Sequence, residues 1–468
     1  MDPSVPVELL AARSQMAFTL GFHIVLACLG VGLPTIVLIA NAVGLRRADP
    51  AALLLARRWS TVMAVTFAVG AVTGTVLSFE MGLLWPGLMG RFGGAFGIPF
   101  AIEGLFFFLE AIFIAIYIYG WRRLSPILHL LSGVPVALAG IGGTFSVVAA
   151  NSWMNQPAGF VLDPTGKVVA VDPIGVIFNP ATWYEVPHML IAAYMVTGFL
   201  FASVYAVAML RGRTDRYVRL GFAIPFVIAA VAAPVQVMVG DVAARGVMVD
   251  QPAKFAAIEL ILTTGPRQPE TIGGVLVGGE VVGGISIPGL ASIIAGFSPD
   301  TVITGLDAVP LDLRPPATIV HLAWDAMVGS GTALVVLALW GLILRLRRRD
   351  YAISRWFLRA SALSGFGAIL ALEAGWIVTE VGRQPWVVYG YLRTADAVTH
   401  ASSVRVTFIG VVILYSALGI ATLVALLALK RRWAAQDAVA SGGRAFDGLA
   451  PEDDIPYGPS RRTGEDAR

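Results

Sequence analysis

The chain has 468 residues, of which 57% are apolar and only 13% charged, and its mean hydropathy is +0.77. A soluble domain carries about a quarter charged residues, so these values exclude the soluble class and point to a membrane protein. The formal net charge of +3 gives no reason to expect nucleic acid as a partner. The single cysteine, Cys28, excludes an intrachain disulfide framework, a cysteine-held iron–sulfur cluster and a cysteine-based zinc site.

A helix that crosses a bilayer needs about 20 mostly apolar residues. Nine runs qualify: 15–45, 53–84, 99–121, 127–150, 184–210, 220–240, 318–344, 356–380 and 403–429. The first is far longer than the apolar part of a signal peptide, about 7–15 residues, and Met1–Arg13 has no basic n-region. The predicted fold class is therefore an all-α polytopic membrane protein with about nine transmembrane helices. Basic residues gather after the odd-numbered runs. They are Arg46, Arg47, Arg57 and Arg58, then Arg122 and Arg123, then Arg211, Arg213, Arg216 and Arg219. Arg345, Arg347, Arg348, Arg349, Arg355 and Arg359 follow the seventh run, and Lys430, Arg431 and Arg432 the ninth. By the positive-inside rule the N-terminus is expected outside and the C-terminus in the cytoplasm. An odd number of spans gives the same answer.

Residues 1–433 thus read as a transmembrane domain, with an external loop at 241–317 inserted in it. That loop is too long for an ordinary connection and contains the glycine-rich stretch GGVLVGGEVVGG at 273–284. Residues 434–468 are polar and charged and are expected to form a disordered cytoplasmic tail.

Ionisable residues inside apolar runs are costly and mark function by default. The set is His23, Glu80, Glu103, Glu110, His129, His188, His321, Asp325, Glu373, Glu380 and Arg405. The expected topology places His23, His188, Met327 and Glu380 in one layer near the outer face. Imidazole, thioether and carboxylate can all ligate haem iron. The bland readings are that a lone histidine hydrogen-bonds between helices and that a methionine is core packing. Glu103 and Glu110 are almost two helical turns apart, on one face, about 10 Å along the axis, which suits either a proton relay or two separate structural hydrogen bonds. These residues alone leave a proton-coupled transporter open.

Six ordered motifs carry a resemblance. They are SQMAFTLGFHIVLACLGVG from Ser14, IEGLFFFLEAIF from Ile102, NSWMNQP from Asn151, DQPAKFAAIE from Asp250, HLAWDAMVGSG from His321 and GWIVTEVGRQPW from Gly375. Together they resemble cytochrome bd oxidase subunit I, for which GRQPW is quite specific, and they span the first to the eighth run.

The resemblance implies a quinol:O2 oxidoreductase of the bacterial cell membrane, with two haems b (one low-spin, one high-spin) and one haem d. It implies quinol oxidation outside and O2 reduction with cytoplasmic protons, building a proton motive force without pumping. His188 and Met327 resemble the axial ligands of the low-spin haem b. His23 and Glu380 resemble the ligands of the other two haems, without fixing which serves which. Trp376 and Arg383 resemble residues that position and electrostatically stabilise that haem pair, and Glu103 and Glu110 the acids near it that serve as proton path or haem support. His129 resembles a weaker candidate on the proton route. Lys254 and Glu259 resemble the quinol-binding pair; they are five residues apart, so on a helix they would lie about 140° apart and not pair on one face. The implied partners are a second polytopic subunit II, a small single-span accessory subunit, quinol and O2. Asp325 departs from the family, standing where some relatives carry a basic residue. A divergent bd-like cytochrome with little O2 reduction is the alternative within the family.

Overall fold

The structure, a computed structural model, describes residues 8–440 and Tyr457. Among the described residues nine helical segments are long and apolar enough to cross a membrane. The helices in chain order are α1 Glu8–Arg47, α2 Pro50–Leu84, α3 Pro86–Gly120, α4 Pro126–Ser132, α5 Val134–Asn155, α6 Pro173–Ile177 and α7 Thr182–Leu210. They continue with α8 Arg216–Asp250, α9 Pro252–Ile258, α10 Leu290–Gly296, α11 Ala317–Leu346, α12 Arg355–Gly382, α13 Thr394–Ala397 and α14 Val404–Ala440. Polar caps start several of them: Asp49 accepts from the amides of Ala51 and Ala52 before Pro50 sets the first turn of α2, Asp215 caps α8 and Ser354 caps α12.

Several expected boundaries change. The third span begins at Pro86 rather than 99, because Pro99 sits inside the helix and Pro86 occupies the first turn. The sixth span continues ten residues past 240 to Asp250, its extra turns held by an Arg245–Asp241 ion pair at 2.9 Å and by Arg245 over the Phe297 ring at 3.7 Å. The fourth span is two helices, α4 and α5, divided at Gly133. A β-carbon there would come within 2.6 Å of Leu38 and 2.9 Å of Tyr117, so the close approach of α1 and α3 requires glycine.

α1 packs against α2, α7 and α14; α7 also packs on α8 and α12, and α12 on α11. Close helix approach uses small residues: a β-carbon at Gly32 would lie 2.4 Å from the Thr197 hydroxyl, which donates to the Cys28 carbonyl at 2.8 Å. Half of the apolar stretch of α1 is buried, against 11% in α3 and 6% in α14. α1 is thus a central helix, while α3 and α14 turn their apolar sides outward.

The arginine-rich segments meet at one end of the bundle. Arg216 pairs with Asp49 at 2.5 Å, Arg58 with the buried Asp437 at 2.5 Å, and Arg219 with Asp350. The last helix therefore runs past 433 to Ala440, and Asp437 anchors it. Of the expected tail, 441–456 and 458–468 lie outside the described residues.

The long connection after α8 is ordered. Strand β3 (Glu270–Ile272) pairs antiparallel with β6 (Ile285–Ile287), around the inner hairpin of β4 (Val275–Val277) and β5 (Glu280–Val282); these labels follow β1 (Phe160–Leu162) and β2 (Val168–Val171), and β7 (Trp386–Val388) and β8 (Leu392–Arg393) complete the set. Gly278 and Gly279 turn the hairpin with φ of 61° and 91°, as a two-residue turn with both central residues at positive φ demands.

Candidate functional site

His23 lies on α1 and faces α2. Its Nδ1 is 2.9 Å from the Thr73 hydroxyl, which is itself 3.1 Å from the carbonyls of Val69 and Gly70. When the Thr73 hydrogen goes to one of these carbonyls, Nδ1–H donates to Thr73 Oγ1 and Nε2 keeps its lone pair. This is the arrangement a metal-ligating histidine adopts. Gly74 faces the same ring: a β-carbon there would be 3.0 Å from Cε1 and 3.5 Å from Nε2.

His188 on α7 and Met327 on α11 show the same device. A β-carbon at Gly240 would lie 3.3 Å from His188 Cε1, and one at Gly375 would lie 3.0 Å from the Met327 sulfur. The Gln236 amide nitrogen is 3.2 Å from both ring nitrogens of His188, and its Oε1 is buried without a donor. Turning that amide over puts Oε1 against a ring N–H and leaves the other nitrogen a free lone pair. Three glycines from three helices thus keep side chains away from the three candidate ligands. Haem fits these residues: each presents a lone pair, and none needs it for the protein's own hydrogen bonds.

Glu380 closes α12 inside a polar network. Its Oε2 accepts from Arg383 Nη2 at 2.6 Å and its Oε1 from Asn151 Nδ2 at 2.5 Å. A carboxylate has about four lone-pair sites, so two donors leave it room for a metal. Asn155 is the hub: its Oδ1 receives Lys254 Nζ at 3.0 Å, Gln251 Nε2 at 3.2 Å and Arg383 Nη1 at 3.4 Å, while its Nδ2 donates to Glu185 at 2.8 Å. Trp376, one turn before Glu380, is partly buried against the main core.

The structure therefore brings Lys254 to Glu380 and Arg383. Both Lys254 and Glu259 are buried, at 3% and 5% exposure, rather than forming a loop surface pair. α9 sets them apart as its helical rotation requires. Burial pushes the Lys254 ammonium down to about 7, against the pull of Glu185 and with Arg383 reinforcing the fall. Glu259 turns to a second group, Glu270, Asp325 and His321; burial, then the Glu270 charge, pushes its carboxyl well up. Asp325 accepts from the Gly273 amide at 2.5 Å and sits 3.4 Å from His321, so it ties α11 to the loop.

Glu103 and Glu110 share α3, and Glu110 Oε1 is buried with no hydrogen-bond donor. His129 is fully buried between Tyr117 and Trp121, with Nε2 at 2.8 Å from the Tyr117 carbonyl and Nδ1 at 2.8 Å from the Tyr457 hydroxyl. Glu80 is held by Gln15 at 2.8 Å and Thr19 at 2.6 Å, a satisfied structural acid. Arg405 is exposed at the start of α14. Thr73, Gln236, Glu185 and Glu270 were not singled out in the sequence. Threonine and glutamine are too common in apolar helices to signal, and the two acids lie at the edge of a span and in a loop.

The sequence profile described as cytochrome bd terminal oxidase subunit I matches residues 11–433. A Bacillus subtilis (strain 168) protein provisionally named a cytochrome bd menaquinol oxidase subunit I is 34% identical over 426 residues, covering 90% of this chain and 96% of its own. The cytochrome bd ubiquinol oxidase subunit 1 of the same organism is 32% identical, covering 88% and 91%. The structure of the bd oxidase from Geobacillus thermodenitrificans superposes with a TM-score of 0.86 at 36% identity, covering 91% of this chain and 98% of that one. Nine apolar spans, the GRQPW segment around Glu380 and these matches agree: the chain belongs to the cytochrome bd terminal oxidase subunit I family, multi-pass proteins of the bacterial membrane whose naming as subunit I implies a second subunit.

Proposed function

We propose that this chain oxidises quinol at the outer face of the membrane and delivers the electrons to O2, which is reduced with protons drawn from the cytoplasm. The arginine-rich end of the bundle faces the cytoplasm under the positive-inside rule, so the loop at 251–316 is external. Charge separation follows from taking up and releasing protons on opposite sides, without a pump. His188 and Met327 would hold a low-spin haem b, and His23 and Glu380 a high-spin haem b and a haem d. When bound, the haems supply the one-electron chemistry and the O2-binding position. Thr73 fixes the His23 tautomer, and Arg383 and Asn151 orient Glu380. Trp376, one turn before Glu380 on α12, helps position the haem pair, and Glu103 and Glu110 hold protons on the inward path. Lys254 fixes a quinol oxygen and Glu259 takes its proton. Subunit II covers part of the outward apolar surface, with a small single-span accessory subunit beside it.

The observation that carries this reading is the network through Asn155, which ties Lys254 of the external loop to Arg383 and, through Arg383, to Glu380. A loop residue that reaches the end of the ligand-bearing span is where a quinol site must be to pass electrons inward. The test compares quinol-driven O2 uptake of the purified complex with oxidation of an artificial donor that bypasses the loop. Lys254→Gln and Glu259→Gln should each slow the first and change the second much less. If neither alters quinol kinetics at limiting quinol, the quinol site lies elsewhere.

A further inference from the structure

Glu259 is the C-terminal cap residue of α9, and its Oε2 is buried with no hydrogen-bond donor. The Glu270 side chain, at the start of β3, faces the Glu259 carboxyl within hydrogen-bonding reach. Two carboxylates repel; at that range the contact is favourable only with a proton between them. The other ionisable groups facing the pair are Asp325 and His321, both from α11. Asp325 is committed to the Gly273 amide and to His321.

His321 is fully buried, and both its ring nitrogens face backbone carbonyls: Nδ1 is 2.6 Å from Ile258 O and Nε2 is 2.9 Å from Gly273 O. The ring thus lies between the two carbonyls, and an N–H donated to either ties that segment to α11. Ile258 precedes Glu259, and Gly273 follows β3, which carries Glu270. One side chain thus fixes the two segments that bear the paired acids. Glu259 is buried and Glu270 partly exposed, so the pair leads from the interior toward water.

We propose that Glu270 is the second acid of the quinol proton acceptor: Glu259 takes the quinol proton, Glu270 receives it and releases it to the outer water, and His321 is the positioning residue that sets the two carboxyls face to face. In each transfer a quinol O–H bond breaks and a Glu259 O–H bond forms, then the proton moves to Glu270 and on to water. The quinol electrons leave to the oxidase's own acceptor chain and O2. The inference rests on Glu259 as the quinol base.

With a neighbour to hold the proton, Glu259 is a free base even when the pair carries one proton. Glu270→Gln removes that neighbour and leaves an amide, a weaker donor than a carboxylic acid. Quinol kcat should fall about tenfold or more, up to the range of about 10²–10⁴ that proton transfer by a placed side chain contributes, with KM within about twofold. The acidic limb of the quinol pH profile should move to higher pH, and artificial-donor oxidation should persist. Infrared difference spectra near neutral pH, wild type minus Glu270→Gln or minus Glu259→Gln, should show loss of a protonated-carboxyl band. Either difference suffices if one variant fails to assemble. An unshifted pH profile with wild-type kcat in Glu270→Gln, or no change in the carboxyl band, overturns the relay. Wild-type quinol kinetics in Glu259→Gln instead overturns the reading of Glu259 as the base.

Discussion

Replacing His321 with leucine tests whether this residue fixes the loop. His321 is 0% exposed and its ring nitrogens lie 2.6 Å and 2.9 Å from the carbonyls of Ile258 and Gly273. Leucine fills similar space but donates nothing, so a buried carbonyl loses its donor. Such an unsatisfied group costs about 1–3 kcal/mol, so the loop's closed state should lose about that much. At about 1.4 kcal/mol per factor of ten, local opening should become at least about fivefold more frequent. Amide hydrogen exchange of the purified complex reads this directly. Amides of α9, of β3 and of the strand-end Gly273 should exchange faster, while those of α1 and α7 stay protected. His321→Gln, with one donor side, should fall between. Unchanged exchange at α9 and β3 in His321→Leu would refute the assignment of His321 as the clamp, whatever happens to turnover.

Met327→Leu is nearly isosteric and should cost under about 1.5 kcal/mol of packing, yet abolish the low-spin haem signal or convert it to high-spin in the visible spectrum; an unchanged low-spin spectrum and potential removes Met327 as a ligand. Asp437→Ala should strand Arg58, whose side chain is 5% exposed, and breaking a buried pair costs about 3–5 kcal/mol. Stacking of Arg58 on Tyr217 at 5.3 Å and Trp433 at 5.4 Å keeps the loss to the lower part of that range, seen as earlier thermal inactivation. Alkaline pH should loosen the 251–316 loop through Glu259 and Glu270, whose carboxyls burial pushes above the ordinary 4.5. Their contribution is fully present below 4.5 and is lost as pH rises through the folded values. Lys254 has the opposite sign: its folded value of about 7 against 10.5 unfolded makes its contribution grow as pH rises through that window. Corrected for intrinsic exchange, the loop should open more at high pH in the wild type and less in a Glu259→Gln, Glu270→Gln double variant; the same trend in both proteins would contradict the assignment.

Much of the architecture was legible in the sequence, because a bilayer imposes one constraint that a sequence displays openly. Each span must be apolar for about 20 residues and satisfy its own backbone, so nine runs became nine spans. Their ends were less legible. Pro99 is inside α3 and not at its start, and α8 outlasts its apolar run by ten residues, because helix ends outside the lipid are fixed by contacts such as Arg245 with Asp241 and Phe297. The hairpin at Gly278 and Gly279 did carry a signal, a Gly-Gly pair between short β-branched runs.

Candidate ligands could be named from the sequence because imidazole, thioether and carboxylate are rare inside apolar helices. What surrounds them could not. Thr73 meets the His23 ring from another helix, and Asn155 gathers Lys254, Arg383 and Glu185 from three elements. The spacing of Lys254 and Glu259 on α9 showed that they would not pair with each other, since rotation per residue is local. Which partners each would find, Asn155 for one and Glu270 for the other, was decided only by tertiary packing. A hydrogen bond depends on where two distant segments meet, and helix periodicity carries no information about that.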